Sequence, residues 1–447
     1  MKLTNWFTRS GAAGLLIAAG GAQAAPAVGP DSRLETFIRD LDSIEFRAAS
    51  TAAPELRAVA PKVVSTGGQL LLTAPNPTPA LEDRLGRAVA NSPDGNLLAG
   101  APSILGSGDP GEAYVINKST GALMLTIPNP APSPADGFGA FVWSTPTKIV
   151  IGAPNDDNVA TDAGRAFVYS SGGALLQTLT KPGAAVDDLF GWSVNAVGEN
   201  VLVGCRHDDT SGTETGSCYM YNSSTGALLR KFTRQPNPVV GDNFGLSVAG
   251  VGTRVLVGAP GVDDATTTDC GGAFVFDSVT GNQLFTLSNP HPVDNAFMGF
   301  LVRGVGNDFL VGAPSSGYAY LFSGSNGALI REFANPEPGA AATNQFYAVA
   351  VGSSGQNIFI GNPKTQPDFT LKGAVYVFRV TDGALRYKIE SPLNEFNFGV
   401  SVHGMPNNQV LVGENYSNVG SAQRAGRMYL FDVGAATAAD TWWLHTE

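Results

Sequence analysis

At 447 residues the chain exceeds the roughly 250–300 residues at which a single core stops growing, so it is either several domains or a repeat. Its 55 glycines, 29 prolines, 43% hydrophobic content and 15% charged residues exclude a disordered or coiled-coil chain and describe a turn-rich all-β protein. The formal net charge of −11 argues against nucleic acid and anionic lipid, which require a basic footprint, and suits basic partners, cations or simply solubility after export.

Lys2 and Arg9 precede an apolar run over 11–22 and then Ala22-Gln23-Ala24. A charged start, a short apolar stretch and a small-residue cleavage site predict a secretory signal peptide over 1–24, cut after Ala24. That run is too short to span a bilayer, and no later stretch is a transmembrane candidate. The expectation is an exported protein, extracellular, surface-associated or periplasmic. Within 25–66, Ser32 to Arg47 reads as a helix. Ser32-x-x-Glu35 has the form of a capping box, and Leu34, Phe37, Ile38, Leu41 and Ile44 recur at helical spacing. That apolar stripe must be covered by the rim or a face of the following domain, or by another subunit. Residues 48–60 read as a linker.

Between 67 and 434 one unit recurs, most clearly over 241–290. Phe244–Ala249, Val255–Val257, Ala273–Phe276 and Leu284–Leu287 are β-branched and aromatic runs cut by Gly, Pro, Asn and Asp, and so read as four strands. The glycine after the second strand falls at Gly100, Gly152, Gly204, Gly258, Gly312, Gly361 and Gly413, about 50 residues apart. The glycine of the first strand falls at Gly86, Gly139, Gly191, Gly245, Gly299 and Gly399, with Tyr347 standing in for the sixth copy. A four-stranded unit cannot bury its own faces, so seven copies predict a seven-bladed β-propeller. The run 68–77 matches 121–130 and is a fourth strand with no first three before it. The last copy, Phe398 to Val433, has three strands. Joining the two closes the ring and removes an exposed edge. The tail 435–447 carries Trp442-Trp443, which either packs on the rim or faces a partner.

Phe138-Gly139, Phe190-Gly191, Phe244-Gly245 and Phe398-Gly399, followed by Gly152-Ala153-Pro154, Gly258-Ala259-Pro260 and Gly312-Ala313-Pro314, resemble FG-GAP repeats. These build the β-propeller of integrin α-subunits and of many bacterial exported proteins. The resemblance implies a seven-bladed propeller and a role in binding or cell adhesion rather than catalysis. The calcium loops frequent in integrin-type repeats are missing. The first-to-second-strand connections, such as Val197-Gly198-Glu199-Asn200, are too short and too poor in oxygen ligands.

Acidic residues concentrate in two sets of connections. The loops between second and third strands carry Asp156-Asp157, Asp208-Asp209 and Asp263-Asp264; those leading into the first strands carry Asp83, Asp136, Asp187-Asp188, Asp242, Asp294 and Glu395. In an up-and-down blade both sets emerge on one face, which should be acidic. Recurrent Asp also caps turns by accepting backbone N–H bonds, and this competes with a ligand role. The third blade departs furthest from the repeat, with Cys205-Arg206-His207-Asp208-Asp209 at its loop entry. The candidate ligand-binding residues are therefore Arg206, His207, Asp208 and Asp209, supported by Asp156, Asp157, Asp263 and Asp264. A divalent cation bridging these carboxylates stays open, because no single loop supplies enough ligands. Cys205 and Cys218 flank one hairpin, which in an oxidising compartment favours either a disulfide or two buried thiols. Of these the disulfide is the expectation, with Cys270 free. Trp143 and Trp192 read as core or channel-lining residues.

His207, His291 and His403 stand in different copies, and the chain has neither H-E-x-x-H nor G-x-S-x-G. The reading is an exported, non-catalytic recognition or adhesion module that binds a protein or glycan at its acidic face. The alternative is a hydrolase or lyase using the mouth of the channel.

Overall fold

A computed structural model describes residues 31–42, 68–102, 109–337, 346–363, 373–393 and 395–434. The expected signal peptide and linker, residues 43–47 of the expected helix, and Trp442-Trp443 lie outside the described residues. Seven sheets of four antiparallel strands each make up the fold. In the fourth blade the strands are Ser247–Val251, Arg254–Ala259, Gly272–Asp277 and Gln283–Ser288. Their spatial order follows the sequence. The other blades lie over 88–128, 141–179, 190–232, 302–334 and 350–390. In the seventh blade Phe398–Met405, Gln409–Glu414 and Arg427–Asp432 are completed on the outside by Gln69–Pro75, with Thr73 opposite Tyr429 and Ala74 opposite Met428.

The repeated glycines mark where neighbouring blades touch. A Cβ on Gly100 would lie 1.8 Å from the carbonyl oxygen of Gly139, and one on Gly152 would lie 2.1 Å from that of Gly191. The same approach joins Gly204 to Gly245, Gly258 to Gly299 and Gly361 to Gly399, and returns around the ring from Gly413 to Gly86. The glycine ending the second strand of one blade thus packs on the glycine opening the next. No side chain fits between two backbones at that distance. In the sixth copy the position belongs to Ala348, at φ +65° with its N–H bonded to Gly361, while Tyr347 takes the phenylalanine position. The sequence placed Tyr347 at the glycine, one residue early. The first strand also begins later than the pattern predicts. Phe244-Gly245-Leu246 forms a corner with Asn243 at φ +52° and Gly245 at φ +94°, and pairing starts at Ser247.

Each core lies between blades rather than within one. Ile149, Ile151 and Phe167 of the second blade pack on Leu98, Val115 and Ile127 of the first. Equivalent clusters join every following pair and close between the seventh blade and the first, where Leu411, Met428 and Leu430 meet Leu97, Ala99 and Tyr114. Apolar burial contributes about 25 cal/mol per Å². Here it binds neighbours together, so removing one blade exposes two interfaces.

Candidate functional site

The helix α1, Asp31–Asp42, is seated where the first strands begin. Leu34, Phe37 and Ile38 are buried against Leu189, Trp192, Leu246, Phe297, Phe300, Phe346 and Val349, residues that open the inner strands of the third to sixth blades. The Phe37 ring lies 5.3 Å from Phe297, 5.2 Å from Phe300 and 5.2 Å from Phe346. The apolar stripe is therefore spent across the mouth of the channel, on the face that carries both acidic loop sets. Glu35, read from the sequence as part of a capping box, points instead into the third blade. It hydrogen-bonds Arg206 through Nη1 and, at 3.2 Å, through Nη2, and lies 3.4 Å from His207 Nε2.

Arg206, the first residue of the candidate loop, is buried by this pairing at 1% exposure. Its guanidinium sits 4.0 Å from the centroid of the Trp192 ring, a cation–π contact between residues whose spacing in the chain carries no signal of it. Burial pushes the Glu35 carboxyl up, but the Arg206 charge and the hydrogen bonds from His207 and Arg206 outweigh it and hold Glu35 well below the usual carboxylate range. His207 is buried in the same cluster.

Asp208 has no exposure at all. It accepts hydrogen bonds from Tyr219 Oη at 2.6 Å, Thr210 N at 3.0 Å and Thr210 Oγ1 at 2.7 Å, with Lys231 Nζ at 2.9 Å and Lys181 Nζ at 3.2 Å. Burial works against its charge, and these hydrogen bonds overcome it, leaving the group strongly acidic. Lys181 in turn bridges to Asp188 at 2.8 Å. A carboxylate so engaged is a structural ion and has no coordination left for a ligand. Asp156 is likewise buried, paired with Arg165 at 2.5 Å. The second residue of the first two pairs, and both residues of the Asp263-Asp264 pair, are exposed and cap their own loops. Asp157 accepts from Asp162 N at 2.7 Å, Asp209 from Glu214 N at 2.6 Å, and Asp263 from Asp269 N at 2.7 Å; Asp264 accepts from Thr266 N at 2.7 Å.

The acids before the first strands cap turns in the same manner. Ala80 N donates to Asp83, Ser133 N to Asp136, Ala185 N to Asp188 and Val239 N to Asp242. Asn76, Asn129, Lys181 and Arg234 supply a second partner to the same four carboxylates. Lys181 and Arg234 stand where other blades have Asn. That substitution of a cation for Asn within the repeat is the sequence signal of these buried ion pairs.

Adjacent loops are also joined across the blade boundary. Leu189 N bonds to Asp162 O, Asn243 N to Glu214 O and Phe297 N to Asp269 O, each at 3.0–3.2 Å. The face is thus a fixed collar around α1. Its outward groups include the carboxylates of Asp157, Asp187, Asp209, Asp263, Asp264 and Asp294. Beside the fourth blade it opens into a cleft of about 260 Å³ lined by Arg234, Asp263, Asp264, Cys270 and Asn289 among others.

One expectation, the Cys205–Cys218 disulfide, is corrected. Cys205 and Cys218 are free thiols, as is Cys270. Cys205 pairs with Ser217 and Cys218 with Gly204, so the cysteines are diagonal neighbours on opposite faces of the sheet. Cys205 enters the core shared with the second blade, Cys218 the core shared with the fourth. The candidate carboxylates also do not converge on one point, and among the described residues no three His, Cys, Asp or Glu side chains are placed to share a metal ion.

The family model of the FG-GAP repeat matches residues 175–221 and 236–276. The first match runs from the outer strand of the second blade through three strands of the third, and the second ends with the third strand of the fourth. No curated protein matches the chain. Among the described residues, no helix is long and apolar enough to cross a membrane. Seven four-stranded blades, two of them carrying the matched repeat, make the chain a seven-bladed β-propeller that contains FG-GAP repeats.

Proposed function

We propose that this chain is an exported, non-catalytic recognition propeller that binds a protein or glycan partner across the loop face surrounding α1. The observation that carries this reading is the division of the acidic residues. Asp156, Asp188, Asp208 and Asp242 are buried in turns and ion pairs, whereas Asp157, Asp187, Asp209, Asp263, Asp264 and Asp294 stand outward on the hydrogen-bonded collar. Loops held on a rigid scaffold are the usual seat of recognition. With α1 across the channel mouth, contact on this side is made over a broad surface. Outward carboxylates suit a basic protein patch or the hydroxyls of a glycan. The same surface, not the third-blade loop alone, is the unit of binding, since Arg206, His207 and Asp208 face inward.

The test is a screen of extracellular proteins and glycans at low and high salt, with and without chelator. Wild type is compared with a variant carrying Asp157→Asn, Asp209→Asn, Asp263→Asn and Asp264→Asn, which keeps the turn-capping oxygens. The expected result is saturable binding that weakens with salt, ignores chelator and is lost in the variant. Binding that survives all four substitutions moves the site elsewhere, and turnover of a screened compound supports a hydrolase or lyase instead.

A further inference from the structure

The opposite end of the channel has a different chemistry. There the inner strands finish, and a cavity of about 200 Å³ opens among Trp143, Asn195, Arg303, Ser353, His403 and the glycines of the turns. None of its lining residues is Asp or Glu, in a chain of net charge −11. Arg303 forms no ion pair among the described residues. Nη1 donates to the carbonyl of Val302 at 3.0 Å, and Nε is buried without a partner. Its guanidinium lies 5.1 Å from the Trp143 ring centroid. Asn195 uses its oxygen to accept from Ala196 N and Gly250 N, both at 2.9 Å, while its Nδ2 is buried and unbonded. His403 donates to or accepts from Asn91 Oδ1 at 2.7 Å and stands edge-on to Trp143 at 5.2 Å. Burial, and secondarily the Arg303 charge, push the His403 imidazole down to about 3, so it is neutral and leaves Arg303 as the cation of the cavity.

A half-buried cation without a counter-charge, its Nε buried and unpartnered, beside a buried amide N–H without an acceptor, describes a site for an anion. We propose that this end of the channel binds a small carboxylate, held by the Arg303 fork and the Asn195 amide, with its apolar part against Trp143. A carboxylate matches the planar guanidinium with two parallel hydrogen bonds. A single cation balances a single negative charge, which favours a carboxylate over a phosphate dianion. Gly252 and Gly306 in the turns, where an added Cβ would meet almost nothing, keep the entrance free of side chains. This site is independent of the loop face and of any partner bound there.

The experiment is calorimetric and fluorescence titration of the full chain with sodium acetate, and separately with inorganic phosphate, at constant ionic strength. Saturable acetate binding, with a dissociation constant on the order of 1 mM, is expected for so small a ligand. A change in tryptophan emission that disappears in Trp143→Phe should accompany it. Arg303→Gln should weaken acetate binding at least tenfold, and Arg303→Lys, which keeps the charge and loses the fork, should weaken it less. The Lys variant carries the comparison should the Gln variant fail to fold. Equal acetate affinity in wild type and the Arg303 variants, or no saturable binding by folded wild type, would overturn the site. Tighter binding of phosphate than of acetate would overturn the carboxylate assignment.

Discussion

Replacing Phe37 by alanine separates the helix from the propeller in a measurable way. The side chain is 5% exposed and touches three phenylalanine rings at 5.2–5.3 Å. Burying a phenylalanine contributes about 1.5–3 kcal/mol, and aromatic pairs add roughly 0.5–1.5 kcal/mol each. Part of this overlaps, and the cavity left between Phe297, Phe300 and Phe346 adds a further cost, so about 4 kcal/mol is expected, within the range for Phe→Ala in cores. That is roughly a thousandfold increase in the undocked population. A free helix of 12 residues is marginal in water, so undocking melts it. Hydrogen–deuterium exchange read by mass spectrometry resolves this: peptides covering 33–38 should lose about three decades of protection, while peptides covering 254–259 in the fourth blade keep theirs. Glu35 adds a pH signature. Its carboxyl is held below its ordinary value of 4.5, so its contribution is complete above that pH and is lost as pH falls below it. Unchanged exchange over 33–38 in the variant would show that α1 is not held by this contact. Equal loss in the fourth blade would show that the helix is not a separate unit.

Three further outcomes follow from the geometry. Asp208→Ala should cost about 3 kcal/mol in denaturant unfolding, because Lys181 and Lys231 lose a buried partner and Lys181 keeps only Asp188. Asp209→Asn should stay within about 0.5 kcal/mol. Alkylation in denaturant without reductant should label all three cysteines, and labelling of Cys270 alone would restore the Cys205–Cys218 bridge. Glu414 is pushed up to about 7 by burial, against hydrogen bonds from Ser391 and Tyr429. The folded state therefore holds its proton more tightly than the unfolded one, and stability should fall by about 3 kcal/mol as pH rises from 4.5 to 7. Glu414→Gln should flatten that slope, and an unaltered slope would place the titration on another group.

The architecture was legible because its cause is local and repeated. Each Phe-Gly and each Gly-Ala-Pro recurs where two backbones must touch, so the spacing of glycines alone counts the blades. The site was less legible for a specific reason. Asp208 and Asp209 are adjacent and chemically identical, yet Asp208 points in toward Lys181, Lys231 and Tyr219 while Asp209 points out. That choice depends on which neighbours the fold delivers, and Lys181 lies in the preceding outer strand-to-first-strand connection. Glu35 and Arg206 are far apart in sequence and meet only because the helix crosses the channel mouth. The disulfide expectation failed on the two-residue period of the strand. Cys205 and Cys218 flank one hairpin, but positions offset by one across an antiparallel pair face opposite sides. The Arg303 cavity was invisible, since Trp143, Asn195, Arg303 and His403 come from four different blades.

The claim that the loop face is the recognition surface is tested most directly by an exchange footprint of the bound partner. With a protein or glycan recovered from the screen at saturation, peptides covering 157–161, 185–189, 209–213 and 263–268 should exchange more slowly. Peptides from the turns at 198–199, 252–253 and 306–307 on the opposite face should be unchanged. Protection confined to those turns, or to the outer strands, would contradict the account.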